Sequence, residues 1–115
     1  MSERLATEIW VTGHLRQCAA QGLPIYVLHK GASAAGTVML KIVIRGQGCR
    51  MLNQFRDGDG NMGWMDLYEG GIVDEIRADQ YIQRATQRDP DLWVIEVEDQ
   101  EGKNPFEGKI FKCGA

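Results

Sequence analysis

The chain has 115 residues, 43% of them hydrophobic and 25% charged, with a formal net charge of −3. These values predict one globular domain over residues 1–115, large enough to bury a core, and they exclude a disordered chain. The acidic balance argues against nucleic acid and anionic lipid as partners, because it provides no attraction to their phosphates.

Cysteine usage and the lack of an apolar leader indicate the compartment. Cys18, Cys49 and Cys113 are odd in number and widely spaced, which argues against a disulfide framework. The first residues carry charges of both signs, and no apolar run reaches the length of a membrane span. We therefore expect a cytoplasmic protein without a membrane segment.

The first predicted element is a helix from Thr7 to Gln21, with Thr7 as its cap and Gly22 just beyond its end. Its apolar stripe consists of Val11, Leu15, Cys18 and Ala19. Trp10 and His14 lie four residues apart on the flank of this stripe, so we expect their side chains to touch.

Four strands are predicted next, at residues 25–30, 37–45, 49–55 and 64–68, because apolar and polar residues alternate there between glycine-rich turns. The small residues 31–36 predict a plain hairpin loop between the first two strands. Consecutive hairpins would make these strands an antiparallel meander.

A second helix is predicted from Ile72 to Arg88, with Asp74 as its cap. Pro90 then ends the helical pattern, and the segment from Asp89 to Asp99 is predicted as a turn followed by a strand. Leu92 to Ile95 are apolar without alternation, which is typical of a strand covered on both faces.

The predicted fold class is α+β: a helix, a four-stranded antiparallel meander, a helix and a final strand, with both helices on one face of the sheet. The other face, with Met39 and Val43, then lacks cover. Either the C-terminal tail or a second copy of the chain would provide that cover. The tail offers three large apolar residues, Phe106, Ile110 and Phe111. The predicted core includes Leu40, Ile42, Trp93, Ile95 and Val97.

Two patterns resemble metal sites and are both incomplete. Asp57, Asp59 and Asn61 have the spacing of the first ligands of a calcium loop, but Met62 stands where the sharp turn requires glycine. A polar hairpin loop is the favoured interpretation. His14 and Cys18, four residues apart on the first helix, could supply two zinc ligands, whereas zinc requires four.

A catalytic role has weaker patterns. A nucleophilic cysteine paired with histidine would draw on the same residues but lacks any local signature. Glu96 and Glu98 lie on one face of the last strand, roughly 7 Å apart by strand rise, a spacing suited to acid and base chemistry. The favoured alternative is that they pair across the sheet with Lys41, Arg45 or Arg50.

The chain also resembles a small family of alphaproteobacterial proteins that carries only a domain-of-unknown-function label. The resemblance covers essentially the whole chain and is most specific from Tyr81 through Asp99, which reads Tyr-Ile-x-Arg and then Asp-Pro-Asp-Leu-Trp-Val-Ile-Glu-Val-Glu-Asp. Weaker matches are Ile9-Trp10-Val11 with Leu15-Arg16, and Ala35-Gly36. Where similar proteins tend to have an Arg-Gly-Asp type turn, this chain has His29-Lys30-Gly31-Ala32. The resemblance implies a fold and no activity.

The sequence thus favours a non-enzymatic interaction module without a cofactor, acting as a homodimer or with another protein partner. The alternative is a small enzyme or ligand-binding protein that uses Glu96, Glu98 and His29 around a pocket.

Overall fold

The computed structural model describes residues 6–69, 71–106 and 109–112. They form, in chain order, α1 (Thr7–Ala20), β1 (Ile25–His29), β2 (Val38–Ile44), β3 (Gly48–Arg56), β4 (Met62–Asp66), α2 (Glu75–Arg88), β5 (Trp93–Glu98) and β6 (Lys109–Lys112). None of the described helices is long and apolar enough to cross a membrane.

The six described strands form one mixed sheet in the order β1-β5-β2-β3-β4-β6. Strands β2, β3 and β4 are antiparallel neighbours, as predicted. The prediction of a four-stranded meander is wrong, because β5 lies between β1 and β2, antiparallel to β1 and parallel to β2. The segment 31–36 is therefore a connection that passes over the start of β5 and is not a hairpin loop.

The two helices lie on opposite faces of the sheet, which corrects the prediction that they share one. Val11 and Cys18 of α1 pack with alternate residues of the central strands, including Leu40 and Ile95. Ala78 and Ala85 of α2 pack with the intervening residues, which are Met39, Cys49, Met51, Leu92 and Val94. The strand β5 is apolar without alternation because each of its faces meets a helix.

The predicted core is confirmed in all five of its residues. Leu40, Ile42, Ile95 and Val97 have no exposed surface, and Trp93 is 3% exposed. The indole Nε1 of Trp93 donates a hydrogen bond to the Ala32 carbonyl oxygen at 2.8 Å, so burial leaves its polar atom satisfied.

The start of α1 is satisfied by the connection 31–36 and not by a side-chain cap. Ala6 occupies the cap position, and the Thr7 and Glu8 amides donate to the carbonyl oxygens of Ala34 and Ser33. The Thr7 hydroxyl, predicted as the cap, donates instead to the Gly36 carbonyl oxygen at 2.8 Å. Helix termini need partners for their free amides, and here the connection supplies them.

The start of α2 and the C-terminal segment follow the sequence more closely. Asp74 caps α2 as predicted, accepting from the Arg77 amide at 2.8 Å. Phe106 is buried in the core on the α1 side. Strand β6 then pairs with β4 in parallel at one sheet edge. The side chains of Ile110 and Phe111, and all of Cys113, lie outside the described residues.

Candidate functional site

A lysine on the α2 face of the sheet gathers carboxylates from two elements. Lys41 of β2 is 2% exposed, and its Nζ lies 3.0 Å from Glu75, 2.8 Å from Asp79 and 3.0 Å from Glu96. Glu75 and Asp79 are one turn apart on α2, and Glu96 lies opposite Lys41 in the β2 and β5 register. This cluster joins the helix to the sheet through charge.

Contact with the three carboxylates shifts the pKa of Lys41. Burial by itself would lower the pKa of Lys41, but hydrogen bonds from its ammonium to Asp79, Glu75 and Glu96 outweigh burial and raise that pKa. The lysine therefore stays charged at neutral pH and is unsuited to accept a proton there.

The structure pairs Glu96 and Glu98 with cations and places His29 elsewhere. Glu96 bonds to Lys41, and Glu98 lies 3.2 Å from the Arg45 guanidinium. His29 pairs with Val94 in the sheet, so it lies about four strand residues, on the order of 13 Å, from the Glu98 position. Its Nδ1 donates to the Leu92 carbonyl oxygen at 2.7 Å.

An open groove of about 470 Å³ runs beside the glutamates. Glu96 and Glu98 line it together with residues 43–48, the α2 cap Asp74 and Glu75, and His29 is not part of its lining. The three residues named as catalytic candidates therefore do not converge on one pocket.

In the loop between β3 and β4, the Asp57 carboxylate is hydrogen-bonded within the loop itself. The Asp57 carboxylate accepts hydrogen bonds from the amides of Asp59 and Asn61 and from the Asn61 side chain. These bonds, above all that from the Asn61 backbone, lower the pKa of Asp57. The loop is a polar turn closed by its first aspartate.

His14 and Cys18 lie in different surroundings on α1. The His14 ring contacts the Trp10 ring, as expected, in a tilted arrangement with 4.2 Å between centroids, and it stacks on Phe106 at 4.7 Å. Cys18 is buried in the core, and burial raises its pKa. Burial likewise raises the pKa of Cys49 to about 11, so both thiols stay protonated at neutral pH. Within the described ranges no group of three or more His, Cys, Asp or Glu side chains is arranged to hold a metal ion.

An edge strand carries a feature that the sequence reasoning missed. Strand β1 ends the sheet, and three consecutive apolar residues on it are exposed: Tyr26 by 55%, Val27 by 41% and Leu28 by 45%. Ile25 packs against the core on the α1 side, but exposed side chains on both faces show that the helices leave the rest of the β1 apolar run largely uncovered. The uncharged run from Ile25 to Leu28, apolar on both faces, was the available signal.

The fold and these sites define a small α+β domain in which a mixed sheet lies between two helices and in which Glu96 and Glu98 are engaged in ion pairs. The family model described as "Protein of unknown function (DUF1491)" matches residues 5–107. The chain belongs to the DUF1491 family.

Solved structures of bacterial proteins share this fold. A crystal structure of a DUF1491 family protein from Caulobacter crescentus is 32% identical, with a TM-score of 0.82, and the match covers 94% of this chain and 100% of that one. An NMR structure of a DUF1491 family protein from the same bacterium gives 33% identity, a TM-score of 0.81, and coverage of 96% and 99%. Caulobacter is an alphaproteobacterium, as is Agrobacterium, the source of the third structure below.

A more distant structure agrees in fold alone. Protein Atu0922 from A. tumefaciens is 23% identical with a TM-score of 0.70, and the match covers 84% of this chain and 87% of that one. No curated protein matches this chain in sequence.

Proposed function

We propose that this chain is a non-enzymatic protein-interaction module that binds an extended polypeptide segment along β1. The observation that carries the proposal is the run of exposed apolar residues Tyr26 to Leu28 on an edge strand. An edge strand presents free backbone donors and acceptors, and adding a strand there combines hydrogen bonding with contacts to alternate side chains.

The two edges of the described sheet differ in a way that supports this proposal. Strand β6 begins and ends with lysine, and charged residues discourage strand addition at an edge. Strand β1 has no formally charged residue. An apolar edge without such protection favours binding over a purely structural role.

The enzyme alternative has less support. Glu96 and Glu98 are engaged by Lys41 and Arg45, and His29 lies outside the groove that the glutamates line. A general acid or base must reach the same substrate as its partner, and this arrangement does not bring the three groups together.

Two narrower statements accompany the proposal. We infer a cytoplasmic location, since Cys18 and Cys49 are free, buried thiols of the kind that a reducing compartment preserves. We also infer that the segment from Asp89 to Asp99 is the family signature, because it supplies the α2 end, the turn beneath the 31–36 connection and a central strand. An alignment of family members in which this segment is no more conserved than the loop between β3 and β4 would contradict the second inference.

The interaction proposal is tested by placing a photo-crosslinking amino acid at Tyr26 in the full chain, expressed in the source bacterium. The matched control carries the same amino acid at Asp59, which is exposed in the loop at the far side of the sheet. We expect discrete protein adducts from position 26 and none at position 59. An absence of adducts at position 26, or the same adducts from both positions, would overturn the proposal.

A further inference from the structure

Resting on that proposed function, we propose that the segment bound along β1 is β1 of a second copy of the chain. The two strands would run antiparallel about a two-fold axis at Tyr26, so that two six-stranded sheets become one continuous sheet. Backbone geometry, side-chain matching and charge each bear on this choice.

The backbone shows which groups β1 offers to a partner. The Glu98 amide donates to the Pro24 carbonyl oxygen at 3.0 Å, so residue 24 points its backbone toward β5. Backbone direction alternates along an antiparallel pair, and Tyr26 therefore also points toward β5, opposite Glu96. The amides and carbonyls of Ile25 and Val27 consequently face outward.

The same strand limits the register of a partner. Pro24 has no amide hydrogen, and the pairing of β1 with β5 shifts between Val27 and His29. The regular outward edge thus consists of Ile25 and Val27. The two-fold register that uses both residues sets Ile25 opposite Val27 of the partner copy and Tyr26 opposite Tyr26. An axis at Val27 would instead oppose Ile25 to His29, beyond the shift.

Side chains match in this register. Ile25 and Val27 lie on the α1 face, where each meets the other residue of the partner copy. The two Tyr26 rings, each 55% exposed in one copy, lie side by side on the α2 face. Cross-strand pairs of aromatic and β-branched residues are among those that stabilise antiparallel sheets.

Charge favours a copy of β1 over the other edge of the same molecule. Two antiparallel copies of Ile25–His29 contain no Lys, Arg, Asp or Glu and so bring no formal charges together. Strand β6 carries a lysine at each end, and charged residues on an edge strand discourage strand addition. Self-pairing is therefore expected at β1 and disfavoured at β6.

The size of the contact sets its expected strength. A pair of five-residue strands buries less than the roughly 1,200 Å² at the lower end of standard stable interfaces. We therefore expect a dimer that dissociates on dilution, with β1 supplying most of the contact.

The first test uses proline to remove one outward donor. Since the Val27 amide faces away from β5, Val27→Pro leaves the ladder inside the sheet intact and removes a hydrogen bond to the partner copy. Val27→Thr, which keeps the amide and the β-branched shape, is the control. Sedimentation from low micromolar to near-millimolar concentration should show the parent and Val27→Thr approaching twice the chain mass, while Val27→Pro stays monomeric.

Thermal melting separates lost association from lost folding. Val27→Pro at a concentration where the parent is monomeric should melt within a few degrees of the parent. If it has unfolded, Tyr26→Glu, which changes an exposed side chain and no backbone bond, replaces it in the sedimentation experiment. A parent that is monomeric throughout, or a folded Val27→Pro or Tyr26→Glu variant that still dimerises like the parent, overturns the inference.

The second test reads the register in a Cys113→Ser background. Two Tyr26→Cys chains would have their Cβ atoms about 4.5 to 5.5 Å apart across the axis, within reach of a disulfide after a small shift. Val27→Cys chains face Ile25 of the partner and should not crosslink. Crosslinking of Val27→Cys in place of Tyr26→Cys overturns the stated register.

The outcomes distinguish this inference from the proposed function. A monomeric parent together with photo-crosslinked adducts of a different protein at position 26 overturns the second copy and leaves the interaction module standing. A monomeric parent without adducts overturns both. Adducts whose mass is two chains, together with loss of dimer in Val27→Pro, support both.

Discussion

Lys41 joins α2 to the sheet by charge at a place where apolar contact would be the usual solution. Its ammonium is nearly inaccessible to solvent, yet Glu75 and Asp79 are each 57% exposed. Burying a charge is costly unless it is paired, and here the partners reach in from the surface. The lysine therefore gains its partners without the full cost of burying them.

Replacing Lys41 with methionine should destabilise the fold by about 2 to 4 kcal/mol, since Glu96 would lose its cation in a largely buried position. The folded pKa of Lys41 lies above its ordinary 10.5, so its contribution is complete below pH 10.5 and declines as the pH rises further. The stability difference between parent and Lys41→Met should therefore be constant from neutral pH to about pH 9.5 and shrink above 10.5. Urea unfolding across this range measures it.

Lys30→Met provides the control, because Lys30 is 68% exposed and its salt bridge to Glu8 is a surface contact. Its effect should be small at every pH. A Lys41→Met effect as small as that of the control would show that the buried cluster contributes nothing to stability.

Gly36 allows the 31–36 connection to lie against the turn before β5. A Cβ at this position would overlap the Asp91 carbonyl oxygen and approach the Trp93 ring at 2.9 Å. Gly36→Ala should therefore cost about 1 to 3 kcal/mol or more, as overpacked sites do. Gly58→Ala, where a Cβ meets nothing within 4 Å, should change stability by less than about 0.5 kcal/mol. Thermal unfolding of the two variants side by side tests the contrast.

At the scale of elements, the loop between β3 and β4 has the residue spacing of a metal site, but its first carboxylate binds backbone amides of the same loop. Asp57 already accepts the hydrogen bonds that a bound cation would have to replace. Adding calcium or zinc to metal-free protein should therefore leave the melting temperature unchanged, since a ligand that binds the folded state raises it. A rise at micromolar metal that disappears in Asp57→Asn would identify a site in this loop, and one that disappears in His14→Ala would identify a site on α1.

The elements that the sequence predicted well are those fixed by local chemistry. The Asp74 cap, the end of α2 near Pro90 and the meander from β2 to β4 follow from neighbouring residues. Residue burial in β5 was also correctly read, because its apolar run has no alternation.

The arrangement of the elements was not fixed locally. The insertion of β5 between β1 and β2 depends on pairing with residues far away in the chain, and no local turn motif in the sequence indicates that pairing. The apolar run from Leu92 to Ile95 already required a layer of structure on each face of the sheet. One layer is α1, and α2 is the second. The pairing of Glu96 and Glu98 with cations was predictable from the sequence. The role of Lys41 as the centre of a cluster was not, because two of its partners, Glu75 and Asp79, come from α2, whose position on the sheet was not predicted.

For the whole molecule, we propose that the chain folds as one cooperative domain. The core on the α1 face and the core on the α2 face both contain residues of β2 and β5. Because the two cores share these strands, we expect them to unfold together. Thermal unfolding followed by far-ultraviolet circular dichroism and by tryptophan fluorescence should give coincident transitions. Trp93 and Trp64 both lie on the α1 side, and a separate earlier transition in the dichroism signal would indicate independent units.

The central position of β5 has a consequence for how the protein is made. Strand β1 pairs with residues more than half the chain length away, and β2 also gains its parallel neighbour only from this late segment. Pairing between such distant residues slows folding, because a long loop must close before the contact forms. On the ribosome, the first strands emerge long before β5 and must wait with open edges, exposed to other nascent chains. We expect the sheet to close after synthesis has passed β5, and the edge of β1 that later pairs with β5 to be a contact for chaperones until then.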